Sequence, residues 1–518
     1  MPVTETSLPT AAPPGPGART DAPVDASPAP APAAATAVSA SVSATASASA
    51  DARMTLRAKL VLLLLCAAQF IIALDFSILN VALPVLGRDL GMGQADLQWA
   101  VTAFALPSGG FLLLSGRIAD LYGRRKLFLI GFALFIAASV LAALAWSPAA
   151  FLAGRALQGL GAAVIVPTGM SLLTTTFAEG PQRERALGIS GTVLSMGFTI
   201  GMVLGGVMTD ALGWRSTMGL LSVAGVAVLA VAPVLLTESR HPRRPRIDVP
   251  GAVTVTGGLL SLIYALSTAA ERGFGHPDVL VTLIAGLALL AAFVRVESRA
   301  DQPLVSLPML RRRTVAWGNL AGLTTFAMMS TVIFLLTLYL QEVLRLSAFR
   351  TGLLFGVQGV VSAVAGLVAP KVIGRLGARR TLLTGLLLQA GFTAALLGLG
   401  TGTGMWLALI GVTFASLGHL WAIISYGVTA TSGVPDAEQG LATGLVTSSQ
   451  QVGITLGIPL LSAVATAHVA ALRTAGSGFA EATLGGIKLG LGLDAALVAV
   501  VAVLVTAGLR TPRATRGE

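Results

Sequence analysis

Two charged side chains stand inside apolar sequence where solvation gives no reason for them. Asp75 lies within IIALDFSILNVALP (71–84), followed by Asn80 and Pro84, and Arg155 opens RALQGLGAAVIVP (155–167) with Gln158 one turn further on. A charge in the middle of a bilayer costs about 2.5–3.5 kcal/mol even on insertion scales, so a residue kept there marks function. Helix geometry relates the pair. With the first apolar segment leaving the inner face and ending near 84, Asp75 sits about 13 Å below its outer end at 1.5 Å per residue. With the fourth entering from outside near 149, Arg155 sits about 9 Å below the same surface. These depths permit a carboxylate–guanidinium contact, direct or through Gln158 or water; the competing reading has Arg155 snorkelling to the outer interface. Asn80 lies about 140° around the helix from Asp75. It reads as an interhelical or interfacial hydrogen-bonding group, and Pro84 as the helix stop.

Other polar groups are less diagnostic. His419, in GHLWAIISYGV beside Trp421 and Tyr426, suits proton transfer or substrate contact, and equally a satisfied core histidine. Asp494 falls about 10 Å into the last apolar segment. Gln341 and Glu342 mark the outer end of the ninth segment. Gln358, Gln389, Gln450 and Gln451 are hydrogen-bonding groups for a cavity or for helix packing. No Cys/His metal cluster, Walker loop or hydrolase triad occurs, so a metal site, ATP-driven transport and enzymatic catalysis lack support.

The elements that carry these residues follow from composition. Of 518 residues 54% are hydrophobic and 11% charged, too few charges to cover a soluble surface. Mean hydropathy is +0.83. Repeated apolar runs of about 20 residues make the chain a polytopic membrane protein, and its 60 glycines suit close helix approach in lipid. Strand alternation is absent, which argues against a barrel. The single cysteine, Cys66, precludes an intrachain disulfide. Residues 1–53, rich in Ala, Pro and Ser, lack a signal-peptide core and read as a disordered cytoplasmic tail resembling those of high-GC bacteria.

Fourteen spans are expected, at about 60–84, 97–116, 127–146, 149–173, 186–210, 216–236, 250–269, 278–297, 316–340, 351–373, 381–400, 405–429, 440–465 and 487–509. Placing the N-terminus inside puts 25 Lys and Arg on the inner side and seven on the outer, with Arg19 in the tail and Arg155 within a span. That bias supports the count and two cytoplasmic termini. Because the basic excess is spread over inner loops, the net charge of +11 does not indicate nucleic acid. GRIADLYGRRKL (116–127) after span 2 and PKVIGRLGARRTL (370–382) after span 10 form an internal repeat; aligning Gly123 with Gly377 sets Arg117 on Lys371 and Arg125 on Arg379. The fold class is therefore all-α and polytopic. Six-helix halves at 54–236 and 314–509 flank an insertion, 237–313, holding spans 7 and 8 and a basic linker, with a cytoplasmic tail at 510–518. Duplicated halves suit a rocking carrier with a mid-membrane cavity.

The 116–126 segment resembles the signature loop of the major facilitator superfamily. Gly116 and Gly123 allow packing and a turn, Asp120 accepts hydrogen bonds or pairs across a gate, and Arg117, Arg124, Arg125 and Lys126 hold the cytoplasmic face. RALQGLGAAVIVP is similar to the superfamily's fourth-span motif, whose arginine the resemblance links to proton coupling. GTVLSMGFTIGMVLGGVMTDALGWR (191–215) resembles the fifth-span antiporter motif, with Gly197, Gly201, Gly205 and Gly206 as a packing groove. Met202 replaces the usual proline there, which weakens the antiporter inference.

IIALDFSILNVALP resembles the first-span signature of the fourteen-span drug:proton antiporter family, with Ser77 and Leu79 substituted; PLVSLPMLRRR (303–313), LYLQEVLRLS (338–347) and GLATGLVTSSQQVGITLG (440–457) also fit. The usual Asn-x-Pro of span 6 is missing. The resemblance implies proton-driven export of small amphiphilic drugs or antibiotics across a bacterial plasma membrane, of actinomycete type, by a monomer needing no cofactor beyond the proton-motive force. In that cycle Asp75 takes a proton from outside and loosens its hold on Arg155. Few acids and 6% aromatics favour neutral or weakly anionic aromatic substrates at least as much as multivalent cations. The alternatives are an importer or metabolite–proton symporter, a channel, or a non-transporting sensor or scaffold.

Overall fold

The computed structural model describes residues 54–177, 181–238, 248–300, 307–402, 404–434 and 439–509; these are helical with short connections, and no strand occurs among them. The expectations for both tails and for the 240–246 basic cluster lie outside the described residues. The first half comprises α1 (Leu56–Leu90), α2 (Gln94–Gly110), α3 (Leu112–Tyr122), α4 (Arg124–Ala143), α5 (Pro148–Thr176), α6 (Pro181–Leu212) and α7 (Arg215–Leu235). A hairpin of α8 (Val249–Arg272) and α9 (Pro277–Glu297) follows. After the short α10 (Leu307–Leu310) come α11 (Arg313–Leu338), α12 (Ala348–Leu376), α13 (Ala378–Ala395), α14 (Met405–Thr431), α15 (Gln439–Thr474) and α16 (Phe479–Gly508).

Thirteen helices among the described residues are long and apolar enough to cross a membrane. They include both α8 and α9. The remaining expected crossing is the pair α2 and α3, interrupted at Phe111. Pro107 and the Ser108-Gly109-Gly110 run explain the break, since proline removes a ladder donor and the glycines hold helix weakly. Backbone groups freed in lipid must find partners. Here the Gly110 carbonyl accepts from Thr256 Oγ1 of α8 at 2.8 Å. The inserted helix packs on α2, α9 and α15, with Trp99 and Tyr264 ring to ring at 5.9 Å.

Two expectations need correction. Pro84 does not stop α1, which runs to Leu90 and ends at Gly91 in left-handed geometry. A proline forfeits one ladder bond, here that to the Asn80 carbonyl, without ending the helix. One residue on, the Val81 carbonyl accepts from Gln341 Nε2 of the π-helical turn after α11, at 2.8 Å. The 116–126 segment is also no loop. Gly116, Arg117 and Asp120 belong to α3, and Arg124 and Arg125 begin α4, leaving Gly123 alone between them.

The internal repeat is structural. Gly123 (φ 111°) and its counterpart Gly377 (φ 81°) take the same left-handed turn, a region closed to most side chains. Arg125 donates to the Pro233 carbonyl of α7 at 2.6 Å, and Arg379 to the Thr506 carbonyl of α16 at 3.0 Å, so each ties the third span of its half to the sixth. Gly161 packs on the Gly131 carbonyl in one half and Gly418 on the Gly385 carbonyl in the other.

Candidate functional site

Asp75 and Arg155 meet in the interior of the first half, both fully buried. Arg155 Nη1 donates to Asp75 Oδ1 at 2.7 Å and Oδ2 at 2.9 Å, and to Gln158 Oε1 at 2.9 Å. Its Nε reaches the Ala100 carbonyl at 3.3 Å, and its guanidinium lies 4.5 Å from the centre of the Phe104 ring. Gln158 Nε2 donates to Ser139 Oγ at 2.8 Å, which donates to the Phe135 carbonyl at 2.7 Å. Helices α1, α2, α4 and α5 thus enclose one charge pair, with Nε and Nη1 of the guanidinium supplied with acceptors. In a low-dielectric interior such a pair persists only with this geometry, and removing one partner of a buried pair costs about 3–5 kcal/mol.

The contact exists although α1 is longer than its sequence suggests. Asp75 lies about 22 Å from the end of α1 and Arg155 about 10 Å from the start of α5, measured at 1.5 Å per residue. The six residues past Pro84 carry α1 beyond the level where α5 begins.

The second half has no such pair at the matching positions. Gly197 and Gly201 pack on the Phe70 and Leu74 carbonyls, and Gly453 and Gly457 on those of Leu323 and Ala327. That register sets Asp75 against Met328, and the Gly161–Gly418 correspondence sets Arg155 against Val412. Both counterparts are apolar and buried. The recurrence of the glycine pair in α15 also shows that Gly197 and Gly201 do ordinary helix packing within a half. Gly205 packs on Ile78 likewise, whereas Gly206 faces Ala348 and Phe349 of the other half.

The remaining expected residues stand apart from the ion pair. Asn80 Nδ2 donates at 2.7 Å to Phe76 on its own helix, and Oδ1 has no partner among the described residues, so Asn80 makes no interhelical bond. His419 Nδ1 lies 2.9 Å from Thr325 Oγ1, which also bonds Gln389 Oε1, and the Phe326 ring meets the imidazole edge-on. These groups belong to spans 9, 11 and 12, the counterparts of spans 1, 3 and 4. Arg117 lies within α3 and Arg124 directly follows Gly123 at the start of α4; the Asp120 side chain lies outside what is described.

Several contributors were not foreseen. Ser139 and the Ala100 carbonyl complete the charge cluster, yet neither a serine in an apolar run nor a backbone carbonyl announces itself in sequence. The Glu238 carboxylate accepts from the Arg125 and Lys126 amides, both at 3.2 Å, capping α4 from beyond span 6.

Among the described residues, α6 of the first half and α12 of the second meet closely at one end of their length. On α6, Thr199, Met202, Val203 and Gly206 press against Gly359, Gly352, Gly356 and Ala348 of α12, leaving no room for a β-carbon at the glycines. At this distal end Asp210 Oδ2 accepts from the Phe349 amide at 3.0 Å. The same stripes continue toward the basic end, where Arg124–Lys126 and Arg379–Arg380 lie, but there they are uncovered. Arg185, Gly188, Thr192 and Met196 of α6 are exposed, as are Ala363, Leu367 and Pro370 of α12. The distal end is closed and the basic end has parted.

Residues 65–458 match the family model described as Major Facilitator Superfamily. The chain is 40% identical over 425 residues to the cephamycin export protein CmcT of Amycolatopsis lactamdurans, covering 79% of this chain and 85% of that protein. It is 34% identical over 458 residues to the puromycin resistance protein pur8 of Streptomyces alboniger, covering 86% and 90%. Among solved structures, an auto-inhibited POT family peptide transporter superposes with a TM-score of 0.65 at 16% identity, over 90% of this chain and 99% of that one, a likeness of fold.

Proposed function

The chain belongs to the major facilitator superfamily, and we propose that it is a proton-driven exporter of small amphiphilic antibiotics in a bacterial plasma membrane. It is a multi-pass membrane protein; the charge bias of its loops supports cytoplasmic termini, which makes the basic end cytoplasmic. The structure then corresponds to the inward-open state, ready to take substrate from the cell.

The Asp75–Arg155 pair carries the reading. A carboxylate held by one guanidinium at mid-membrane can exchange that contact for a proton, and only the first half has it. In the proposed cycle a proton arriving from outside neutralises Asp75 and loosens Arg155. Release of that proton to the cytoplasm restores the pair seen in this inward-open arrangement. Alternating access couples the exchange to substrate movement outward. The protein works as a monomer and requires no cofactor. Relatives named for cephamycin export and puromycin resistance support efflux over uptake.

Expression in a puromycin-sensitive host tests the direction. An exporter lowers puromycin accumulation, and a protonophore abolishes the effect. Higher accumulation in expressing cells would establish the importer reading instead.

A further inference from the structure

Asp494 is a buried carboxyl group that the proposed cycle does not use. It lies near the middle of α16, about 21–22 Å from either end at 1.5 Å per residue. It is fully buried, and neither oxygen has a hydrogen-bond partner among the described residues. The apolar groups Leu491 and Val498 flank it on the same face.

Two helix registers identify its surroundings. Gly490 packs on Leu335 and Gly508 on Trp317, so α16 runs antiparallel to α11 with Asp494 level with Thr331. Leu397 packs on Gly492 and Arg379 reaches the Thr506 carbonyl, so Thr393 of α13 is at the same level. Both threonines are fully buried. Thr331 Oγ1 donates to Ala327, and the Thr393 hydroxyl has no partner among the described residues. Asp494 therefore has hydroxyls at its depth and, among the described residues, no counter-charge.

The titratable groups on the packed elements all lie elsewhere. On α15, His468 approaches Gly485, about 13 Å along α16 from Asp494, and Arg473 lies beyond it. On α13, Arg379 meets Thr506, about 18 Å the other way, with Arg380 beside it. Arg313 begins α11; Tyr339 of the π-helical turn bonds the Gly400 carbonyl, and Glu342 faces Arg345. Lys488 is on α16 itself, on a different face.

A small cavity lies on the distal side of Asp494, between the halves. Gln98, Ser462, Thr466 and Thr483 line it with Leu335 and Ile487. The buried amide of Gln98 and hydroxyl of Thr483 have no partners among the described residues, and a water there would satisfy both. Ile487 is two turns from Asp494 on one helix face, about 10 Å away.

We propose that Asp494 is a second proton-binding carboxyl, exchanging one proton per cycle with water of this cavity. An unpaired ionised carboxylate is costly to strip of water in such a site, so the neutral acid is taken as the resting form. The step passes one proton from a cavity water to an Asp494 oxygen along further water that enters the roughly 10 Å between them, each water giving one proton as it receives one, with no other bond changed. Its place in a transport cycle rests on the proton-driven reading; the site itself does not.

Infrared spectroscopy of the full-length protein in lipid nanodiscs tests this without a substrate. The wild type should show the carbonyl stretch of a neutral carboxylic acid that shifts in deuterated water and weakens as the pH is raised. Asp494→Asn should remove that band, Asp75→Asn should leave it, and Gln98→Leu should slow its exchange. Should Asp494→Asn fail to fold, Asp494→Glu must move the band and keep it exchangeable. An unchanged spectrum in Asp494→Asn, or a band that neither exchanges nor titrates in folded protein, would overturn the proposal. Transport by Asp75→Asn reports on the coupling reading separately.

Discussion

Thr256, on the first inserted helix, donates its hydroxyl to the carbonyl of Gly110 at the break in the second span. The insertion thereby repairs a backbone defect in the first half while packing on α15 of the second. Gly109, next to the break, lies against Thr455 of α15, so three helices converge there. Thr256→Val keeps the shape and removes the donor. It should lower stability in lipid by about 0.6–1.7 kcal/mol, the range for interhelical hydrogen bonds in membranes, read as an earlier thermal transition. An unchanged transition would show that the break is satisfied another way.

Asp210 belongs to the first half and caps the start of α12 in the second. Losing a cap costs about 1 kcal/mol, which shifts a two-state equilibrium about fivefold. Asp210→Ala should therefore favour the distally open state. With Val203→Cys as reporter in a Cys66→Ala background, a membrane-impermeant maleimide added to intact cells should label about five times faster. Equal rates would mean that this contact does not hold the distal gate.

Gly201 and Gly206 are five residues apart on α6 but face different partners, α1 and α12. Gly201→Ala crowds Ser77 and Leu74 within one half and should cost about 1–3 kcal/mol of stability. Gly206→Leu presses on Ala348 across the halves. It should leave the thermal transition near that of the wild type while raising outside labelling of Val203→Cys. Destabilisation by both to the same extent would contradict the division between packing within a half and gating between halves.

How much was legible depended on whether a residue's type conflicts with its surroundings. Asp75 and Arg155 conflict with apolar sequence, and their expected depths permitted a contact without deciding between pairing and snorkelling; the expected end of α1 also fell too early. The repeat was readable because Gly123 and Gly377 must supply a left-handed turn, and the matching tethers of Arg125 and Arg379 came with it. The break at Phe111 had a signal in Pro107-Ser108-Gly109-Gly110, but continuous hydrophobicity hid it. Pro84 misled in the opposite sense, since a proline removes a single ladder bond and the helix runs on to Leu90. Glu238 could not have been found from sequence, because its role depends on the packing of α7 beside α4. The closed distal end is likewise a tertiary fact, as the α6 and α12 stripes look alike along their whole length.

The central claim is that the Asp75–Arg155 pair exchanges its contact for a proton. Everted vesicles loaded through their own proton gradient, with puromycin uptake measured against the imposed pH difference, test it most directly. With Asp75→Asn, compared in vesicles matched for the amount of protein in the membrane, the account predicts uptake that no longer responds to the gradient. Uptake by Asp75→Asn with the wild-type dependence on the pH difference would contradict it.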